Sequence, residues 1–215
     1  MHRYFLALFF SFIIYCTGQD LQKGLQPPSG YWNNTFIKLY LALGLVDLVD
    51  RSPEIPPNIE VFANIIFKET EQRPLKLDIY RKKNISKPAP VIVFIHGGSW
   101  KSGDKKDYLV YLLYFAEKGF ITASLSYRFL QEAIFPAAVE DVRCGVGWIK
   151  KYGISYGIDT NKVVLVGGSA GAHLAMMLAY SQDFQSCDTN NVSPRVQGVV
   201  NIYGPVDLTT DFAIV

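Results

Sequence analysis

Apolar residues along this chain fall into short strand-length runs separated by segments whose apolar positions recur at helical spacing. Ile59 to Phe67 and Leu75 to Tyr80 open the series as a strand pair; in the second, Leu75, Leu77 and Ile79 face one way and Lys76, Asp78 and Tyr80 the other. Pro90 to Ile95, Phe120 to Tyr127, Lys162 to Val166 and Val196 to Ile202 are further runs rich in β-branched and aromatic residues. Between them, Leu109, Leu112, Leu113 and Ala116 follow a helical period, with Asp104 as its cap and Gly119 as its stop. Ala138, Val142, Gly145, Val146 and Ile149 make a second apolar stripe that starts at Pro136 and ends at Gly153. Strands alternating with helices imply an α/β fold, a mostly parallel sheet with helices on both faces and a ligand site at the carboxyl ends of the strands. With Val196 to Ile202 as the last strand, the sheet would present an apolar edge, and poor solubility is expected of the chain alone.

The chemistry gathers at two strand ends. In Val163 to Tyr180 (VVLVGGSAGAHLAMMLAY) a β-branched strand turns through Gly-x-Ser-x-Gly directly into a helix, leaving almost no room for a loop. A serine on so tight a turn stands clear of the sheet, beside the first amides of the helix, where charge can build up on a reacting oxygen. Small residues after a strand also serve ordinary helix-on-sheet packing, so the pentapeptide alone does not decide. A second pattern adds weight: Pro90 to Trp100 (PVIVFIHGGSW) is another buried strand, ending in His96, Gly97 and Gly98. Two glycines there leave backbone N–H groups uncovered, as an oxyanion hole requires.

Together with LKLDIY (Leu75 to Tyr80), SYRF (Ser126 to Phe129), FPAAVEDV (Phe135 to Val142) and YGPVDL (Tyr203 to Leu208), these motifs resemble the α/β-hydrolase superfamily. The branch they resemble is that of esterases and lipases related to hormone-sensitive lipase and to bacterial acetyl and feruloyl esterases. The resemblance implies an α/β-hydrolase fold, Ser169 as nucleophile, and oxyanion-hole amides from Gly97, Gly98 and Ala170. It also implies a serine hydrolase of carboxylic esters, acting on acetyl, feruloyl or other small acyl groups of a small-molecule or carbohydrate substrate. Ser99 departs from the branch, which often carries a third glycine there.

A larger departure concerns the rest of the triad. In this superfamily the order is Ser, then Asp or Glu, then His, with the acid after the seventh strand and the base after the eighth. Only six strands are legible here, so the fold is expected to be truncated after about the sixth and the triad's Asp and His to be missing from this chain. Of its three histidines, His2 falls in the leader, His96 is placed to brace the oxyanion loop, and His173 rides the helix leading away from the elbow with no orienting acid. Asp207 follows the sixth strand, a position from which some α/β-hydrolases draw their acid, but it sits in a Gly-Pro turn, where a turn or cap role is the stronger expectation. Two other functions stay open: a formamidase-like amide hydrolase, since SAGAHL also resembles kynurenine formamidase, and a catalytically dead α/β-hydrolase domain used for binding.

Hydrophobic content of 49% and charged content of 19% exclude a disordered chain, and a net charge of +2 offers no polybasic surface for nucleic acid. No P-loop lysine or G-x-G-x-x-G follows a strand, and no cofactor or metal is expected. Residues 1–18 combine Arg3, an apolar stretch and small polar residues, as a secretory signal peptide does; the twelve-residue stretch Tyr4 to Tyr15 is too short to span a bilayer. A lipoprotein cysteine at Cys16 is the weaker alternative, because bulky Tyr15 precedes it. Residues 19–58 read as an N-terminal arm whose apolar segment Phe36 to Asp50 is either a cap helix over the site or a helix packed on the core; 59–215 form the hydrolase domain. In a secreted chain Cys144 and Cys187 could pair or remain thiols, and Asn33, Asn84 and Asn191 stand in glycosylation patterns.

Overall fold

A computed structural model describes residues 52–181, 187 and 195–209. The leader, the segment Phe36 to Asp50 and the glycosylation patterns at Asn33 and Asn191 lie outside the described residues.

The chain runs β1 (Ile59–Lys68), β2 (Leu75–Lys82), β3 (Ala89–Ile95), α1 (Leu109–Glu117), β4 (Ile121–Leu125), α2 (Ala137–Tyr152), a 3₁₀ turn (Gly153–Tyr156), β5 (Ile158–Gly168), α3 (Ala170–Tyr180) and β6 (Gly198–Ile202). The strands form one mixed sheet in the order β1-β2-β4-β3-β5-β6. β1 and β2 make the antiparallel hairpin, β2 lies antiparallel to β4, and β3, β4, β5 and β6 are parallel to their neighbours among themselves.

This order positions the site. From β3 the chain crosses over α1 to β4 on one side; from β4 it returns past β3 to β5 on the other. Right-handed crossovers in opposite directions put their helices on opposite faces. Accordingly α1 packs on a cluster of Ile59, Tyr80, Phe94, Leu112, Leu113 and Ala116. α2 and α3 cover the larger cluster on the other face, with Val139, Val142, Val146 and Ile149 from the first and Leu174, Ala175 and Leu178 from the second. β3 and β5 are neighbours whose crossovers leave in opposite directions, so the crevice beyond their carboxyl ends is the sheet's switch point, where ligands of open α/β sheets bind. The Ile95–Gly167 register pair brings His96-Gly97-Gly98 and Ser169 to that crevice side by side.

Several local expectations are refined. Asp104 caps a turn rather than a helix: its Oδ1 accepts the Lys106 N–H at 2.8 Å, and α1 begins only at Leu109, without a side-chain cap. Gly153 ends α2, but the chain tightens into the 3₁₀ turn and reverses at Gly157, where φ is +82°. Asp78 and Tyr80, on the side of β2 away from Leu77 and Ile79, are buried as well, because α1 and its preceding loop cover that face. Cys144 on α2 is joined to Cys187 by a disulfide with 5.1 Å between the Cα atoms, the bridged one of the two readings of these cysteines. Among the described residues β6 ends the sheet, leaving Val200 and Ile202 exposed.

Candidate active site

Ser169 sits between the last residue of β5 and the first of α3 with φ 54° and ψ −123°, a backbone conformation that a β-carbon makes unfavourable. Its neighbours hold it there. The Ser169 N–H donates to the Ile202 carbonyl of β6 at 3.0 Å, while its own carbonyl accepts the N–H groups of Ala172 and His173 at 3.0 and 3.1 Å. The strain is tolerated because helix and strand approach so closely at the flanking glycines. A methyl added to Gly171 would collide with the carbonyl oxygens of Ile95 and His96, and one added to Gly167 with the backbone of Gly171 and Ala172. Gly171→Ala is therefore expected to destabilise the fold by about 3 kcal/mol, at the upper end of ordinary overpacking, because the colliding atoms are backbone and cannot swing aside. Urea unfolding of the variant beside the native chain measures it.

Ser169 is half-buried, and its hydroxyl makes no hydrogen bond among the described residues. It faces Gly97: a β-carbon built on that glycine would lie 3.4 Å from the Ser169 Cβ and 2.8 Å from the Gly168 carbonyl oxygen. The N–H groups of Gly97 and Gly98 meet no acceptor among the described residues. Ala170, as the first residue of α3, carries one of the amides that a helix leaves without an internal partner. Amides of this kind beside a hydroxyl at the switch point are the donors that an oxyanion formed by attack on a carbonyl requires. Beyond Gly98 the loop continues in the left-handed region, with φ of 103° at Gly98, 53° at Ser99 and 57° at Trp100. Ser99 can follow the path that a third glycine takes in the related branch, at the cost of a strained backbone.

His96 braces this loop. Its buried ring stacks on Tyr127 with centroids 4.4 Å apart, and its Nδ1 lies 2.9 Å from the Gly97 carbonyl. A carbonyl only accepts, so Nδ1 carries the proton of the neutral ring. Burial holds the imidazole below its ordinary value of 6.5, against the smaller opposing influence of that hydrogen bond. The Tyr127 hydroxyl completes the brace, lying 3.0 Å from the His96 carbonyl and 3.1 Å from that of Gly97. His173 points its half-buried ring edge-on to Trp100, centroids 5.3 Å apart, with Nδ1 buried and unbonded among the described residues; burial lowers its pKa too. Neither imidazole is hydrogen-bonded to the Ser169 hydroxyl. Asp207 accepts the backbone N–H and the hydroxyl of Thr209 at 2.8 and 2.6 Å, a turn contact at an exposed position.

Three polar features escaped the sequence reading. Tyr108, just before α1, packs against the elbow: a methyl added to Gly168 would collide with its hydroxyl oxygen. Asp78 on β2 pairs with Lys105 in the loop after the glycines. Asp141 on α2 gathers Lys68 at 2.6 Å and Arg128 at 2.8 Å, and also takes the Arg128 backbone N–H at 3.0 Å. Asp78, Arg128 and Asp141 all fall within motifs that carried the resemblance, but nothing in the sequence says which charges meet.

A six-stranded sheet in this order, with a strained serine between strand and helix and a glycine pair on the neighbouring strand, defines an α/β-hydrolase of the esterase branch. The BD-FAE family model matches residues 77–213, and the chain belongs to that family. The probable carboxylic ester hydrolase LipM of Mycobacterium tuberculosis is 33% identical over 143 residues, which are 62% of this chain and 32% of that protein. Isoprenylcysteine alpha-carbonyl methylesterase ICME of Arabidopsis thaliana is 30% identical over 129 residues, 60% of this chain and 30% of that protein. Among solved structures, the propionate-bound esterase Est2 of Thermogutta terrifontis superimposes with a TM-score of 0.62 at 27% identity, covering 71% of this chain and 56% of that one. The chain thus spans about a third of the length of these curated relatives.

Proposed function

We propose that this chain carries the nucleophile and oxyanion hole of a secreted serine esterase acting on small acyl esters. The Ser169 oxygen attacks the ester carbonyl carbon, and the N–H groups of Gly97, Gly98 and Ala170 receive the oxygen that becomes negative. The alcohol then leaves, and water releases the acyl group from Ser169. The serine proton has no imidazole to go to among the described residues, so solvent takes it and acylation is slow. One observation carries the reading: Ser169 is held at φ 54° with its Cβ facing Gly97. The relatives' names support ester chemistry, and the propionate and butyrate complexes of the Thermogutta terrifontis esterase support a short acyl group. The leader pattern and the Cys144–Cys187 bridge support an oxidising destination outside the cytoplasm.

Chemical rescue tests it. Imidazole added to the recombinant chain should stimulate hydrolysis of ethyl acetate and ethyl butyrate, and Ser169→Ala should abolish the stimulated part. Rates identical in the native chain and Ser169→Ala, with and without imidazole, would overturn the assignment.

A further inference from the structure

The loop that carries the glycine pair is strained and almost entirely exposed, yet one of its side chains is buried. Gly98, Ser99, Trp100 and Gly103 all adopt positive φ. Such conformations persist only where surrounding contacts over-determine them. At its near end the loop is held by His96 and Tyr127, as described, and at its middle by the Trp100 carbonyl, which accepts the Leu130 N–H at 2.8 Å. From residue 101 to residue 107 every residue is exposed except Lys105. The Lys105 ammonium donates to Oδ2 of Asp78, and the Asp78 side chain is wholly buried. The other oxygen, Oδ1, accepts the Asn64 N–H at 2.6 Å from the irregular stretch of β1, and the Tyr80 hydroxyl stands 3.5 Å from Oδ2. The far end of the loop is thus tied to the second strand of the sheet by a buried ion pair.

Burying two charges is a poor way to gain stability, because their desolvation offsets most of the attraction; such pairs are better suited to fixing one conformation among several. We infer that Lys105 and Asp78 are a positioning pair for the oxyanion loop, fixing the direction in which the Gly97 and Gly98 amides point. The inference rests on the reading of those amides as oxyanion donors. The pair does not touch Ser169; it acts through the six residues between Gly98 and Lys105 in sequence order and through the strand beneath them.

The test compares Lys105→Met, the double variant Asp78→Asn with Lys105→Met, and Lys105→Arg. The double variant leaves no unpaired buried charge and should melt within about 4 °C of the native chain. Backbone order parameters of ¹⁵N-glycine-labelled protein should nevertheless fall at Gly97 and Gly98 from about 0.85 toward 0.6, while Gly167 in β5 stays rigid. Ser169-dependent, imidazole-stimulated kcat should drop about 10- to 100-fold with KM within about twofold. Lys105→Arg, which can keep the ion pair, should restore both. A double variant of native melting temperature whose two amides remain rigid and whose kcat is intact would overturn the positioning role. Should the double variant not fold, Lys105→Met against Lys105→Arg, measured well below the melting point, decides by the same order parameters. These do not depend on turnover, so loss of the esterase reading alone, seen as Ser169-independent hydrolysis, would leave the relaxation result standing.

Discussion

Without added imidazole, the 215-residue chain should turn over p-nitrophenyl acetate about 10⁴- to 10⁶-fold more slowly than a triad-complete serine esterase assayed beside it, the span that loss of triad members costs in other serine hydrolases. The reason is where the two described histidines lie. His96 spends Nδ1–H on the Gly97 carbonyl, and its Nε2 is buried without a partner among the described residues. His173 leaves the elbow on α3 with its ring against Trp100 and Nδ1 unbonded. Burial lowers both imidazoles below 6.5, which would suit a neutral base, but a base must first reach the hydroxyl. The proposed oxyanion hole, if all that remains, would by itself sustain a rate above that of water. Serine-dependent hydrolysis within about 100-fold of the complete enzyme would show that a base reaches Ser169 after all.

The elements were legible because each obeys a strong local rule. The runs Pro90 to Ile95 and Lys162 to Val166 are β-branched because both faces of a central parallel strand are covered, and the structure places them as β3 and β5 at the middle of the sheet. The stripe Val142, Val146 and Ile149 marked the buried side of α2, since nothing but a helix brings those positions together. Less legible were the positions where a local rule met a tertiary one. Asp78 and Tyr80 alternate with Leu77 and Ile79 as solvated residues would, yet α1 and its loop cover them. Asp104 has the chemistry of a helix cap but caps a turn, because Lys105 is drawn inward to Asp78 before the helix can start.

The glycines around the elbow were legible for a related reason. Gly167 and Gly171 are demanded by contact between backbones, a constraint that survives as sequence because no other residue satisfies it. Glycines 97 and 98 are likewise written into the chain by the close approach of the elbow and by a left-handed turn. The charges behind the site were not legible. Lys68 and Arg128 lie 73 and 13 residues from Asp141 along the chain and meet it only when α2 is laid on the sheet, and each taken alone looks like a surface residue.

Removing Asp141 should accordingly be among the most damaging changes to the fold itself, costing about 3 kcal/mol or more. Its carboxylate is fully buried and accepts from Lys68, from two nitrogens of the Arg128 guanidinium and from the Arg128 backbone N–H. Asp141→Ala leaves two cations with side chains no more than a fifth exposed, 20% for Lys68 and 17% for Arg128, and no anion between them, together with an orphaned amide. Partial exposure lets water relieve some of this, which places the estimate at the lower end of what breaking a buried pair costs. Asp141→Asn keeps an acceptor for the Arg128 amide and should lose roughly half as much. The damage should also travel. Arg128 directly follows Tyr127, whose hydroxyl bonds the His96 and Gly97 carbonyls, so a loosened Arg128 frees the brace of the oxyanion loop. A fall in the urea midpoint with unchanged slope measures the stability loss. A loss below about 1 kcal/mol in Asp141→Ala would mean that Lys68 and Arg128 find water as readily as they find the carboxylate, and that the packing of α2 on the sheet, rather than its buried anion, holds this end of the molecule.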